Sequence, residues 1–215
     1  MQYAIVTPYY KESVGLLQRC IASVQHQTIQ VDQLLIADGH AQDWIDFRAE
    51  RYLRLDHPHG NYGNTPRGIG LMLAFTEQYN GIGVLDADNW LEANHVEVCV
   101  LNFNSVSKLG KVDYVIAKRH LRRPDETTIE TQDEPTAEHV DTNCFFFLPD
   151  FYHIVQYFEP CPKRIHRFSA ASSIKPCITA ACNLRFATSP QSTTTAIGYR
   201  CIGPMVKRRL KEPNP

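Results

Sequence analysis

Tyr3 to Thr7 is a short run of aromatic and β-branched residues stopped by Pro8, and Gln33 to Ala37 is a second apolar run that ends in Asp38-Gly39. Between them Val14, Leu17, Ile21 and Val24 recur at three- and four-residue steps behind Ser13, a capping residue, which predicts an amphipathic helix over residues 14–27. Strand, helix and strand with short connections form a βαβ unit, whose right-handed crossover makes the two strands parallel. A parallel pair needs cover on both faces, and this commits the chain to helices above and below a sheet.

The rhythm continues through the first half. Residues 43–51 carry a weak helical pattern and Tyr52 to Leu55 alternates as a third strand. The stretch His59 to Arg67 is rich in turn formers, with Thr65 placed as a cap and Pro66 as a first helical residue, so a helix is expected from there to about Gln78. Ile82-Gly83-Val84-Leu85 follows as a buried strand, then a helix from about Glu92 to Lys108 and a strand at Asp113 to Ala117. This order predicts an α/β fold, a three-layer sandwich around a mainly parallel sheet.

The second half breaks the alternation. Residues 119–139 are polar and suit a mobile excursion over the sheet edge, whereas Cys144 to Leu148 is a strong strand and Phe151 to Phe158 a short helix. A helix over 165–174 and late strands at Leu184 to Thr188 and Thr193 to Ile197 complete the expectation. With 215 residues and no internal repeat, the chain reads as a single domain with two halves, 1–118 and 119–215.

A formal net charge of −1, from 22 Lys and Arg against 23 Asp and Glu, argues against nucleic acid as a partner. Lys207, Arg208, Arg209 and Lys211 form one basic cluster, read as a solvated tail, with peripheral contact at anionic lipid as its other use. No apolar stretch approaches the roughly 20 residues of a transmembrane segment. The seven cysteines are an odd number without zinc-type spacing or a secretory signal, so a cytoplasmic protein with reduced thiols is expected. Cys20 and Cys99 read as core thiols, and Cys177 and Cys182 as weaker ligand candidates.

The chemistry concentrates where the run Ile82 to Leu85 ends in Asp86-Ala87-Asp88. Residues i and i+2 of an extended strand share a face, so both carboxylates can converge on one hard cation, and through it on a diphosphate. Ligands of open α/β sheets bind beyond the carboxyl ends of the strands, where this pair falls. The plainer alternative is a solvated turn.

In order along the chain, Ile5-Val6-Thr7-Pro8-Tyr9-Tyr10-Lys11, Leu35-Ile36-Ala37-Asp38-Gly39, Asn61-Tyr62-Gly63-Asn64-Thr65-Pro66-Arg67 and Asp86-Ala87-Asp88 resemble the successive motifs of family 2 glycosyltransferases with the GT-A fold. The resemblance spans most of the chain. It implies an inverting, metal-dependent transfer of a sugar from a nucleotide-diphosphate sugar donor, usually a UDP-sugar, with Mn2+ or Mg2+ as cofactor. The 1–118 half would bind the donor and the 119–215 half the acceptor, a saccharide, lipid-linked or other hydroxyl compound. By the same resemblance Thr7, Pro8 and Tyr9 wall the base pocket, Asp38 contacts the base and Arg67 binds the donor. Asp86 would face the ribose and the metal, and Asp88 would be the more direct metal ligand. Ala37 and His40 stand where the family has an aspartate and a serine, which bears on base selectivity.

Inverting transfer also needs a carboxylate that takes the acceptor proton. Where the resembled family has an acid opening a late helix, this chain has Pro162-Lys163-Arg164. Asp141 and Glu159 are the candidate replacements. His139 and His166 are weaker candidates for a metal ligand, since lone histidines usually serve the surface or the core. Three functions therefore stand: a glycosyltransferase, a catalytically weak or inactive relative that binds nucleotide-sugar, and a nucleotidyltransferase. The last ranks lowest, because no glycine-rich phosphate loop follows the first strand.

Overall fold

Two faces of one sheet take different helices, and the register of the first strands decides which. In the computed structural model, which describes residues 1–45, 51–107, 112–117, 119–122, 127–129, 141–158, 197–199 and 205–208, β1 (Tyr3–Tyr9) lies parallel to β2 (Asp32–Asp38). Their register pairs Val6 with Leu34 and Thr7 with Leu35. Thr7 and Gln33 point to Cys20 on α1 (Val14–Gln25), while Val6 and Ile36 point to Gly70 on α2 (Asn64–Thr76). The helices thus sit on opposite faces, and the α/β fold is a three-layer sandwich around a mainly parallel sheet, as expected.

The remaining elements are β3 (Arg51–Leu55), β4 (Gly81–Val84), β5 (Trp90–Leu91), α3 (His95–Ser107), β6 (Val112–Ile116), β7 (Arg119–Arg122), β8 (Thr128–Ile129), β9 (Phe145–Phe147), β10 (Ile197–Tyr199) and β11 (Met205–Arg208). Among the described residues the main sheet has seven strands in the order β11-β6-β9-β4-β1-β2-β3. Only β9 and β11 run against the others. From β1 the chain builds outward to β2 and β3 on one side, then returns to β4 on the other, so the order reverses between β1 and β4. That reversal opens a crevice at the carboxyl ends of these two strands.

The core forms because both sheet faces are apolar. Leu17 and Leu35 are fully buried on the α1 side, and Leu34, Ile36 and Leu71 on the α2 side; each such side chain contributes about 1.5–3 kcal/mol by leaving water. Phe145 and Phe147 stack at 5.5 Å on one face of β9, while Phe146 fills the other. Pro149–Phe158 follows as a 3-10 segment with a kink at Phe151.

Several local expectations change. The α2 helix starts at Asn64, capped by Gly63 in the left-handed region rather than by Thr65. Asn61 does the capping work instead, its amide donating to Thr65 Oγ1 at 2.7 Å and accepting from Thr65 N at 3.3 Å. Within the polar stretch 119–139, Arg119–Arg122 and Thr128–Ile129 are strands of a second sheet, ordered β5-β10-β7-β8, rather than a loose excursion. Lys207 and Arg208 belong to the edge strand β11, not to a solvated tail, because the adjoining Met205 and Val206 pair with Ile116 and Val115. The late strand falls at Ile197–Tyr199, two residues beyond the expected end. Cys20 and Cys99 are buried core thiols, as is Cys144. The helix expected at 165–174, the strand at Leu184 to Thr188, and Glu159, Lys163, His139, His166, Cys177 and Cys182 lie outside the described residues.

Candidate functional site

The site begins where β4 stops. Leu85 N still donates to Val6 O at 3.0 Å, and the chain then closes a turn in which Asn89 N donates to Asp86 O at 2.9 Å. Asp86 and Asp88 therefore ride on a hydrogen-bonded turn rather than on an extended strand. Asp and Asn favour such turns, and Ala87 between them, only 1% exposed, packs against Tyr9, Leu17 and Leu35. The buried alanine fixes the turn and leaves a carboxylate on each side of it.

The charges of the two acids act on each other across the turn. Burial, then the charges of Asp86 and Glu12, with a smaller contribution from Asp141, push the Asp88 carboxyl up to about 6. Four carboxylates thus share one field at the carboxyl ends of β1 and β4. Among the described residues no group of three or more His, Cys, Asp or Glu side chains is arranged to hold a metal ion.

Asp86 is held by two elements. Arg67, on the first turn of α2 with its side chain 5% exposed, brings Nη2 to 2.5 Å from Asp86 Oδ1. The same guanidinium donates from Nη1 to Asn64 Oδ1 at 3.2 Å. A cation at a helix N-terminus opposes the helix dipole, and the Asp86 carboxylate offsets that cost. From the other side Asn143 donates from Nδ2 to Asp86 Oδ2 at 3.0 Å and to Asp141 Oδ1 at 2.7 Å. Asp141 caps the short 3-10 turn Thr142–Cys144 by accepting from Asn143 N, and its other oxygen takes Arg119 Nη1 at 3.0 Å. The result is a continuous chain: Arg67, Asp86, Asn143, Asp141, Arg119.

The residues expected around the base occupy the ends of β1 and β2. Thr7 is fully buried and its hydroxyl accepts from Gln33 Nε2 at 2.9 Å. Pro8 lies under Gly63 of the loop before α2. The Tyr9 hydroxyl pairs with that of Tyr52 and accepts from Gln42 N at 3.0 Å, and burial with the Tyr52 bond raises its pKa. Asp38, its side chain 5% exposed, accepts from His59 Nδ1 at 2.6 Å and from His59 N at 3.2 Å.

The expected residues thus gather at one end of the sheet, with Thr7, Pro8 and Tyr9 packed inside it and Asp86 and Asp88 part-exposed. Asn143, Arg119, Glu12 and His59 belong to the same region and were not singled out from the sequence. Asn143 had one signal, its position two residues after Asp141 and directly before the buried strand. Arg119 had none, because the stretch around it read as loop.

No family model and no curated protein matches this sequence. Solved structures do resemble it. The crystal structure of S. aureus TarS aligns with a TM-score of 0.59 at 10% identity, over 88% of this chain and 36% of that one. A second, of S. aureus TarS 1–349 in complex with UDP, aligns with a TM-score of 0.57 at 11% identity, over 81% of this chain and 54% of that one. The chain spans between about a third and about half the length of these neighbours. At such identity the likeness is one of fold.

Proposed function

We propose that this protein is a glycosyltransferase that moves a sugar from a nucleotide-diphosphate sugar, with UDP as the favoured nucleotide, to a hydroxyl acceptor. The observation that carries the reading is the Asp86-Ala87-Asp88 turn at the crevice where the strand order reverses. The fold it shares with S. aureus TarS 1–349 in complex with UDP supports the choice of nucleotide.

Mn2+ or Mg2+ fits the donor set, because Asp88 sits in a surplus of negative charge that a divalent ion relieves. Held by Asp88 and Asp86, such an ion would supply Lewis-acid stabilisation of the leaving diphosphate. Arg67 and Asn143 fix the Asp86 carboxylate in direction. Transfer with inversion then needs a base on the acceptor side. Asp141 is the described candidate and Glu159 the other. Asp141 Oδ1 already accepts twice from Asn143 and Oδ2 once from Arg119, so the proton must be taken at Oδ2, beside the guanidinium.

That requirement favours one second reading, a relative that binds nucleotide-sugar and turns it over weakly or not at all. Lys163, where the resembled family carries an acid, favours it too. Calorimetric titration with UDP, with and without Mn2+, together with release of UDP from UDP-sugars, separates the readings. Metal-dependent binding with turnover is the expected result; binding without turnover selects the second reading. Unaltered turnover in excess EDTA refutes the metal role, and no binding of any nucleoside diphosphate overturns both.

A further inference from the structure

The Asp38 carboxylate has little left to offer a ligand. Its Oδ1 accepts from His59 Nδ1 at 2.6 Å and from His59 N at 3.2 Å, and its Oδ2 takes the same main-chain N–H at 3.3 Å. The carboxylate is almost wholly buried, whereas the His59 side chain retains 21% of its surface. The loop bearing His59 is pressed onto the end of β2: Gly39, with φ +76°, leaves no room for a Cβ beneath His57 and Pro58. His57 then lies against the His59 ring at 4.7 Å and fixes its plane. His59 is therefore held by its main chain, by Nδ1 and by one ring face.

With Nδ1 donating to that carboxylate, Nε2 is the ring nitrogen left for another partner. Among the described residues that Nε2 has no hydrogen-bond partner, although the ring is mostly buried. It lies away from the Asp38 bond, on the loop pressed against the carboxyl end of β2. Resting on that proposed function, we propose that His59, not Asp38, is the residue that reads the base, with Nε2 accepting from the imide N3–H of uracil. Asp38 is the positioning residue that sets the tautomer. Cytosine presents a lone pair at N3 and would meet a second lone pair there.

The test compares UDP with CDP, both with Mn2+, by calorimetry on the full chain. Wild type prefers UDP by about tenfold or more, the scale of a lost hydrogen bond to a desolvated group. His59→Ala brings the two affinities to within about threefold of each other, with the loss falling on UDP. His59→Gln serves as a second variant should the first not fold: its amide can turn to donate or accept, so discrimination collapses there as well. Asp38→Asn, which can donate to Nδ1 as well as accept from it, erodes the preference through the tautomer.

Retention of the full UDP preference in His59→Ala or His59→Gln overturns the proposal and returns base reading to Asp38. A wild-type preference for CDP overturns it as well, since Nε2 would then carry a proton. Absence of binding by either nucleotide is a different failure, that of the proposed function itself.

Discussion

Asn143 holds Asp86 at two points, its Oδ1 2.5 Å from the Asp86 main-chain nitrogen and its Nδ2 3.0 Å from Asp86 Oδ2. One side chain thus fixes both the backbone and the carboxylate of the first acid in the turn. The residue is 2% exposed, so nothing from solvent can replace it. An amide is suited to this task because it donates and accepts at once, whereas an aspartate there would add a fifth negative charge to the cluster.

Asn143→Ala should therefore strand a buried main-chain N–H and free Asp86 to rotate. The expected cost is about 1–3 kcal/mol of stability, read by urea denaturation. Metal-assisted UDP binding should weaken in parallel. Asn143→Asp should weaken UDP binding in the absence of metal and make it more dependent on added Mn2+. Equal affinities of wild type and Asn143→Ala for UDP would remove Asn143 from the site.

Asp141 carries the next expectation. If it serves as base, Asp141→Asn should keep donor affinity while kcat falls by roughly 10²-fold or more. Arg119→Met should then raise kcat or leave it intact, because it releases the oxygen that Arg119 holds at 3.0 Å. A structural Asp141 predicts the opposite pattern, with binding and stability lost together in both variants.

These residues show where sequence reasoning reached and where it stopped. The first βαβ unit was legible because period and punctuation agree over residues 3–38, and the structure reproduces it within a residue or two. Asp86 and Asp88 were legible as a pair, but the turn that carries them was not, since an apolar run does not announce that its strand ends at Val84 and a turn begins. Asn143 and Arg119 were hidden because they reach the site across 57 and 22 residues of sequence, to Asp86 and Asp141 respectively. Local pattern carries no information about such pairings. The strands β7 and β8 were hidden for a related cause: short polar strands acquire their structure from the partner they pair with.

Gly70 offers a test of the α2 packing that supports Arg67. A Cβ there would stand 2.4 Å from Val6 Cγ1 and 2.7 Å from Ile36 Cδ1, so the helix can approach β1 and β2 only with glycine at this position. Gly70→Ala should cost about 1–3 kcal/mol despite the better helix propensity of alanine. Gly15→Ala, in open space on α1, should be neutral or stabilise by up to about 1 kcal/mol. Paired thermal melts decide it; a Gly70→Ala protein as stable as wild type would show that α2 can move away from the sheet.

The final expectation concerns acid. His95 opens α3 almost wholly buried, with Cys99 Sγ 3.9 Å from its Nε2, and burial lowers its pKa from 6.5 to about 4. Between those values the unfolded chain binds a proton that the folded chain refuses, so stability falls as pH drops from about 6.5 to 4. The loss attributable to His95 is about 3 kcal/mol, from roughly 1.4 kcal/mol per pKa unit. Asp88 works in the opposite sense: its folded pKa is raised from 3.8 to about 6, so acidification across that window favours the folded state. The wild-type curve mixes both, and the difference between wild type and His95→Leu isolates one. Urea denaturation at pH 7, 6, 5 and 4 should show the variant gaining on wild type with each step down in pH. A difference that stays constant with pH would mean that His95 accepts its proton inside the folded protein as readily as outside it.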